Sequence, residues 1–555
     1  MRNWFRAGTP WIWLNAGAVA LSVVMVVGIL GLIAVRGLSH FWPADLVQIS
    51  VREQASGEIT QLMGELVRTE TLASQVIRDS GVTLESDEPL ISRHLIKQGN
   101  RDVYGRDFVW HLDPLLSDWR TPEQAIALER REWGNFYGFP LRVLEAGKEV
   151  ASGDKVFAEL VRRIERTNQI FDQIRQIEKV DIGKVNYQIE RVRLDQRKLE
   201  IKAGTTEAEL EQFKAEAAVK LAALDDEYRV LKQQLDKLNA DANRDSLIAQ
   251  TADGREVTIS LAAIVKAIQP NNMNVIQKLV QYFATLWGFI TDEPREANTE
   301  GGIFPAIFGT VTMVILMSII VTPFGVLAAI YLREYAKQGP LLRIIRVSVY
   351  NLAGVPSIVF GVFGLGFFVY ILGGNIDQLF YPESLPNPTF GTPGLFWASF
   401  TLALLTLPVV IVSTEEGLAR IPSTIRMGSL ALGATKSETL WKVVVPLATP
   451  AMMTGLILAI ARAAGEVAPL MLVGVVKLAP TLPIDGNFPF IHLDQKIMHL
   501  GFHIYDVGFQ SPNVEAARPL VYATALVLVV LIVILNMAAI SIRNRLREKY
   551  RSDSD

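Results

Sequence analysis

The sequence predicts an all-α polytopic membrane protein of six transmembrane helices. A large, mostly helical polar insertion follows the first of them and carries a helical hairpin and a small β-hairpin. Three observations predict this. Half of the residues are hydrophobic, and they gather in six separate runs, each long enough to span a bilayer. Lys and Arg cluster at alternate ends of those runs. Between the first run and the second lies a long charged stretch with heptad spacing, which dilutes the mean hydropathy to +0.27.

The first run, Trp11 to Val35, contains no charged residue. It is too long for a signal-peptide core and lacks an Ala-x-Ala-like end, so it reads as an uncleaved anchor. The other runs are Ile303–Leu332, Tyr350–Leu372, Leu395–Ser413, Met452–Val476 and Leu520–Ile540. Arg2 and Arg6 precede the first run, and Arg333, Lys337, Arg343 and Arg346 follow the second. Arg426, Lys436 and Lys442 follow the fourth, and Arg543, Arg545, Arg547, Lys549 and Arg551 the sixth. Residues 373–394 contain no Lys or Arg, and residues 477–518 few. The positive-inside rule then places both termini in the cytoplasm and the insertion outside it. The net charge of −3 averages very different segments and gives no basis for a nucleic-acid partner. The chain has no cysteine, which excludes disulfides and thiolate metal sites.

The expected organisation is a cytoplasmic N-terminus with the first span (1–36), the insertion (37–299), a membrane core of five spans (300–542) and a basic tail (543–555). Within the insertion, Val185, Ile189, Val192 and Leu199 follow a helical spacing. Leu210, Phe213, Ala217, Leu221, Leu224, Tyr228, Leu231, Leu235 and Leu238 continue it after Gly204, and Thr206 with Glu209 fits a capping box. This predicts an antiparallel hairpin over about 155–240 with a coiled-coil-like seam and a first arm of roughly 70 Å, which Gly183 could interrupt. Asp253-Gly254 between Leu247–Thr251 and Glu256–Ser260 predicts a β-hairpin over 247–260, and Val103–His111 a further strand. Asn274–Ile290, with Tyr282, Phe283 and Trp287, predicts an amphipathic helix over 274–290 along the membrane surface. The insertion shows no catalytic constellation and reads as a stalk or docking surface.

The fifth run holds Arg462, Glu466 and Pro469. Ionisable residues inside a span are costly and face a pathway or an internal partner. Counted from Pro450, both charges fall near or just past the midplane, one helical turn apart. Pro469 would free backbone polarity beside Glu466. An inter-helical ion pair is the structural alternative to an anion pathway or gate, for which an arginine is suited. Glu415 and Glu416, at the end of the fourth run, read as loop or interface groups. Two other patterns carry no chemistry. Gly428 and Gly433 have phosphate-loop spacing, but Ala434-Thr435 stands where Lys-Ser/Thr is needed, so ATP must be hydrolysed by another chain. His499 and His503 are four apart, yet His492 is the one further nearby histidine, and no metal site is expected.

The segment Arg420–Pro450 is the most informative. Gly433 divides it into two short potential helices, where a positive φ is expected. Leu430, Leu432, Leu440 and Trp441 give it an apolar face that a partner groove could accept, and Pro446 and Pro450 are expected to end it. The spacing resembles the EAA loop of ABC-importer permeases, which docks on the ATPase. Gly433, Ala431, Leu432, Lys436, Trp441 and Pro446 would then be coupling residues. Met427, Gly428 and Ser429 stand where that loop reads Glu-Ala-Ala, so its signature glutamate is missing.

Four further runs sharpen the resemblance: Gly301–Thr310, Val321–Gly325 with Tyr331-Leu-Arg-Glu-Tyr335, Gly354–Gly361, and Ala461–Leu470. Together they resemble the PstA permease family of bacterial phosphate importers over residues 1–36 and about 300–545. The insertion, with Asp253–Ile259 and Gln269–Asn272, resembles that of the long variants. The resemblance implies an ABC-importer permease fold in the bacterial inner membrane and inorganic phosphate as substrate. It implies a PstC-like permease, two copies of a PstB-like ATPase and a periplasmic PstS-like phosphate-binding protein as partners, beside membrane lipid. The chain itself would be no enzyme and would hold no cofactor, ATP being used by the ATPase. Periodicity and charge alone support only a small, anionic solute. An importer of sulfate, molybdate or an amino acid would share the loop but not the Gly301–Thr310 and Ala461–Leu470 runs. A membrane scaffold or sensor built on the hairpin would need neither the loop nor the charged pair.

Overall fold

The computed structural model describes residues 9–53, 57–79, 88–511 and 514–551. Arg2 and Arg6, and the last four residues of the basic tail, fall outside these. The chain divides into two compact units, residues 1–40 with 303–555, and residues 41–302.

In the first unit, six helices among the described residues are long and apolar enough to cross a membrane: Trp11–Ser39, Phe304–Tyr335, Ser357–Phe380, Leu395–Ala419, Lys436–Gly465 and Ala517–Glu548. This membrane unit is all-α, as expected. Its core joins Met313, Met317 and Val321 of the second span to Leu402 and Val410 of the fourth and Ala459 and Ala463 of the fifth. Small residues let the backbones approach closely, because lipid tails offer no hydrophobic drive for association. A Cβ on Gly417 would stand 2.4 Å from that of Ala451. Ser413 Oγ donates to the Ala451 carbonyl at 2.9 Å across the same contact.

Two spans differ from the sequence reading. The third begins at Ser357 rather than at Tyr350, which belongs to a separate helix, Pro340–Leu352. Pro356 is the reason: it stands just before Ser357 in extended geometry, which the preceding helix cannot pass through. The fifth span begins at Lys436 and ends at Gly465, rather than running from Met452 to Val476. Pro446 and Pro450 do not end the run. The π-helical turn Leu440–Val444 shifts the hydrogen-bond register just ahead of them, and the helix continues through both prolines.

The insertion is richer in strand than its sequence indicates. Strands β1 (Leu46–Arg52), β2 (Ile59–Ala73), β3 (Leu90–Lys97), β4 (Phe108–Leu112) and β5 (Leu116–Arg120) form an antiparallel sheet in the order β4-β3-β2-β1-β5. A second sheet holds β6 (Ile126–Arg130), β7 (Phe136–Glu145), β8 (Lys148–Ser152), β9 (Asp245–Gln250), β10 (Glu256–Ser260) and β11 (Ile264–Ile268), with β8 paired to β7. The β9/β10 hairpin is thus one edge of a six-stranded sheet, turning at Asp253-Gly254 with Gly254 at φ +89°. Only the second half of Val103–His111 is strand, because Arg101–Tyr104 is a helical turn closed by Gly105 in the left-handed region.

The first arm of the hairpin runs Val156–Gln176 and Ile182–Ile201, joined through a π-turn, Ile177–Asp181. The arm passes through Gly183 unbroken and is roughly 70 Å long. The second arm, Glu207–Ala242, opens with the Thr206/Glu209 capping box, both of whose bonds form. Val185 and Val192 of the first arm, and Ala217 and Leu224 of the second, are buried. At the root, Arg163 reaches Glu159, Glu145 and Asp245 at 2.6, 2.8 and 2.9 Å. Asp245 is fully buried, and Arg244, at 2.8 Å, shares its charge with Arg163.

Near the end of the insertion, Glu300 Oε2 is shut off from water without a hydrogen-bond partner. Burial pushes this carboxyl up to about 7, with Lys97 opposing and Glu296 and Glu129 reinforcing the shift. A carboxyl raised in the fold binds its proton more tightly there than in the unfolded chain. The insertion therefore loses stability as pH rises from the ordinary carboxylate range through about 7, by roughly 3 kcal/mol. Glu300→Gln is expected to raise the melting temperature of the detergent-solubilised chain at about pH 8 and to leave it unchanged at about pH 4. An unchanged melting temperature at the higher pH would remove Glu300 as the titrating group.

Candidate functional site

The loop after the fourth span is built by local chemistry. Helix Ser423–Ala431 ends in a Schellman arrangement: Ala434 N–H donates to Ser429 O at 3.3 Å, and Gly433 N–H to Leu430 O at 3.0 Å. Gly433 sits at φ +88°, the left-handed conformation that glycine adopts without cost. Thr435 then caps the next helical turn, in a capping box with Glu438. The outcome is a protruding turn with Leu432 at its tip, 91% exposed, flanked by Met427, Leu430 and Trp441, all about half exposed. Ala431, Lys436 and Gly433 lie on the same exposed turn. Leu440 departs from the expected face. It is buried among Ile330, Leu418, Val444 and Met452, because the π-turn that begins there rotates it inward. Pro446 lies inside the span rather than at a boundary.

One residue that holds this loop had no role in the sequence reading. Glu334, at the end of the second span, pairs with Arg426 at 2.9 Å, and its backbone carbonyl accepts from Lys436 Nζ at 2.6 Å. Lys436 also lies over the Tyr335 ring at 4.6 Å. Arg426 donates further to the Ile421 and Leu418 carbonyls, the last ones of the fourth-span region. The loop is thus fixed to the ends of two spans by polar contacts, half-buried at Arg426 and exposed at Lys436, while its apolar tip is left open. The clue was the Glu334 within Tyr331–Tyr335, next to basic residues that otherwise only set orientation. Nearby, Glu415 pairs with Arg346 at 2.6 Å and is nearly buried.

The charged pair is placed differently from the sequence reading. The fifth-span helix is 30 residues long. That is about 45 Å, against a hydrocarbon core of about 30 Å. Arg462 is in its last turn, at the end far from Gly433. Glu466 has left the helix (φ −77°, ψ 137°) and folds back so that its Oε1 lies 3.4 Å from Arg462 Nε. The two therefore pair around a helix terminus instead of along one face, with side chains one-third and one-fifth exposed. Pro469 does not interrupt a helix that has already ended. It opens the short turn Leu470–Val473 and packs against the third span, where a Cβ on Gly361 would come within 2.6 Å of its Cα. Arg462, Glu466 and Pro469 thus form one terminus, whereas the loop residues form another, and the fifth span connects them. The buried His499 and His503 belong elsewhere: His499 Nδ1 accepts from the Gly501 N–H at 3.1 Å as the cap of helix Leu500–Tyr505.

Residues 321–551 match the family model of the binding-protein-dependent transport system inner membrane component. The phosphate transport system permease protein PstA of Mycobacterium leprae (strain TN) is 35% identical over 216 residues, which span 38% of this chain and 65% of that protein. The phosphate transport system permease protein PstA 1 of Mycobacterium tuberculosis (strain CDC 1551 / Oshkosh) is 33% identical over 245 residues, 44% of this chain and 71% of that protein. An inward-facing structure of the MetNI methionine ABC transporter aligns with 43% of this chain and 94% of its own, at 18% identity and a TM-score of 0.32.

Proposed function

Because this chain belongs to the PstA-type family of binding-protein-dependent inner-membrane permeases, we propose that it forms part of the pathway for inorganic phosphate in an ATP-driven importer. A PstC-like permease completes the pathway, two PstB-like ATPases supply the energy, and an external PstS-like binding protein delivers the anion. Leu432 carries this reading: an almost fully exposed leucine at the tip of a loop whose base is ion-paired to the second span. A leucine so placed suits a partner groove, as in helix-in-groove recognition. The Lys and Arg residues around it support a cytoplasmic loop, on the side where ATP is, with the insertion on the opposite side.

The substrate assignment is tested by reconstituting the chain with its three partners in proteoliposomes. Phosphate-loaded binding protein is expected to stimulate both ATP hydrolysis and phosphate uptake. Equal stimulation with sulfate would reject phosphate specificity, and an absence of any ATPase binding would reject transport altogether. Orientation has its own test in this cysteine-free chain. A single cysteine at the exposed Gln233, on the second hairpin arm, is expected to react with an impermeant maleimide in intact spheroplasts. Reaction only after lysis would reverse the topology.

A further inference from the structure

The helix Val275–Thr291 is amphipathic with its polarity reversed for a protein surface in water. It starts at a complete capping box between Asn274 and Gln277. Val275, Ile276, Leu279, Val280, Phe283 and Trp287 point outward and are between 43% and 73% exposed. The polar side chains of its middle, Lys278, Gln281 and Thr285, turn inward instead, and of the polar residues only Gln277 and Thr291 at its ends are exposed. Lys278 Nζ is ion-paired with Asp45, and Gln281 donates to Thr285 at 3.2 Å. Among the exposed positions of this helix there is no charged side chain. An uninterrupted apolar stripe of this size on a soluble face marks a partner or a membrane.

Its other contacts indicate which. The inward aromatics Tyr282 and Phe289 pack on Phe41, at ring-centroid distances of 6.4 and 5.1 Å. Tyr282 also meets Trp42 at 6.2 Å, and Trp42 is itself 43% exposed. Phe41 follows Ser39, the last residue of the first span, by two positions. Two residues of chain reach about 7 Å at most, so the helix is packed onto a segment that has only just left the bilayer. Tryptophans such as Trp42 and Trp287 favour that boundary.

We propose that helix Val275–Thr291 is an interfacial anchor, its apolar face sunk into the headgroup and acyl boundary of the membrane surface at which the first span ends. The occupant of the face is lipid, and it is held without regard to lipid charge because the face offers no cation. The insertion then has an attachment to the membrane besides its two covalent connections. The proposal does not depend on which solute is carried.

The absence of native cysteine allows nitroxide labels at single cysteines replacing Ile276, Val280, Phe283 and Trp287, with Gln233 as the aqueous reference. In full-length chain reconstituted into phosphatidylcholine vesicles, the four labels are expected to collide with oxygen in preference to a water-soluble nickel chelate. The preference should exceed that at Gln233 by about threefold or more. It should persist in high salt and on adding anionic lipid. Chelate accessibility equal to that at Gln233 would place the helix in water and overturn the anchor. Immobilised labels shielded from both reagents would overturn it in favour of a protein cover. A preference seen only with anionic lipid would overturn charge-independent insertion.

Discussion

Gly433→Val is expected to leave the protein inserted in the membrane and to abolish phosphate-stimulated ATP hydrolysis and uptake. No neighbouring atom lies within 4 Å of where a Cβ would stand, so crowding is not the cause. The cost comes from φ +88°, which a β-branched residue adopts only at about 1–3 kcal/mol. An exposed loop escapes such strain by rearranging. Doing so breaks the bonds from Ala434 and Gly433 to the Ser429 and Leu430 carbonyls and moves Leu432. The spans do not depend on that turn, so insertion survives. Gly433→Asn is the matching control, because asparagine visits the left-handed region and should retain most coupling. Normal coupling in the valine variant would show that this turn does not dock the ATPase.

Arg462→Ala is expected to give an assembled complex that imports phosphate at a rate about tenfold or more below the parent. Removing the guanidinium alone leaves the Glu466 carboxylate without the partner it has at 3.4 Å, which by itself destabilises. The informative variant is therefore the neutral pair, Arg462→Ala with Glu466→Leu, in which neither charge is stranded. If the pair only ties down the end of the fifth span, that double variant should import almost normally. If Arg462 meets the anion, the double variant should assemble and stay inactive. Arg462→Lys should then be partly impaired, since an ammonium cannot present the two-pronged donor set of a guanidinium. Near-normal uptake by the double variant, with unchanged assembly, would assign the pair to stability alone.

What could be read from the sequence follows the range of the interactions concerned. The spans were legible because hydropathy over a score of residues is a local sum. The hairpin arms were legible because heptad spacing and the Thr206/Glu209 cap are local, and so is the turn at Gly433. The first sheet was not, apart from the part of β4 within Val103–His111. Its strand β2 is long and largely polar, with Glu65, Arg68, Thr69, Glu70 and Thr71 along it, and β1 pairs with β5 across nearly the whole sheet segment. No periodicity within a short window encodes such pairing. Helix ends inside apolar sequence were also hidden. Nothing in Ala461–Leu470 announces that Gly465 is the last helical residue, or that prolines 446 and 450 are tolerated through a shift of register. The expectation that Arg462 and Glu466 share one helix face fails for that reason. The role of Glu334 was hidden for another reason: its partners Arg426 and Lys436 lie about a hundred residues away.

The length of the hairpin has a mechanical consequence. Beyond Arg163 the first arm extends roughly 57 Å, which turns a rotation of about 5° there into a sweep of about 5 Å at its tip. The root is where Arg163 welds the first arm to Glu145 and Asp245 of the sheet, so little of such a rotation would be lost to slack there. The tip, around Gly204, would then act as a pointer. A rearrangement too small to alter any contact at the base would become a displacement comparable to a helical turn at the far end, within reach of a sensor that never touches the membrane.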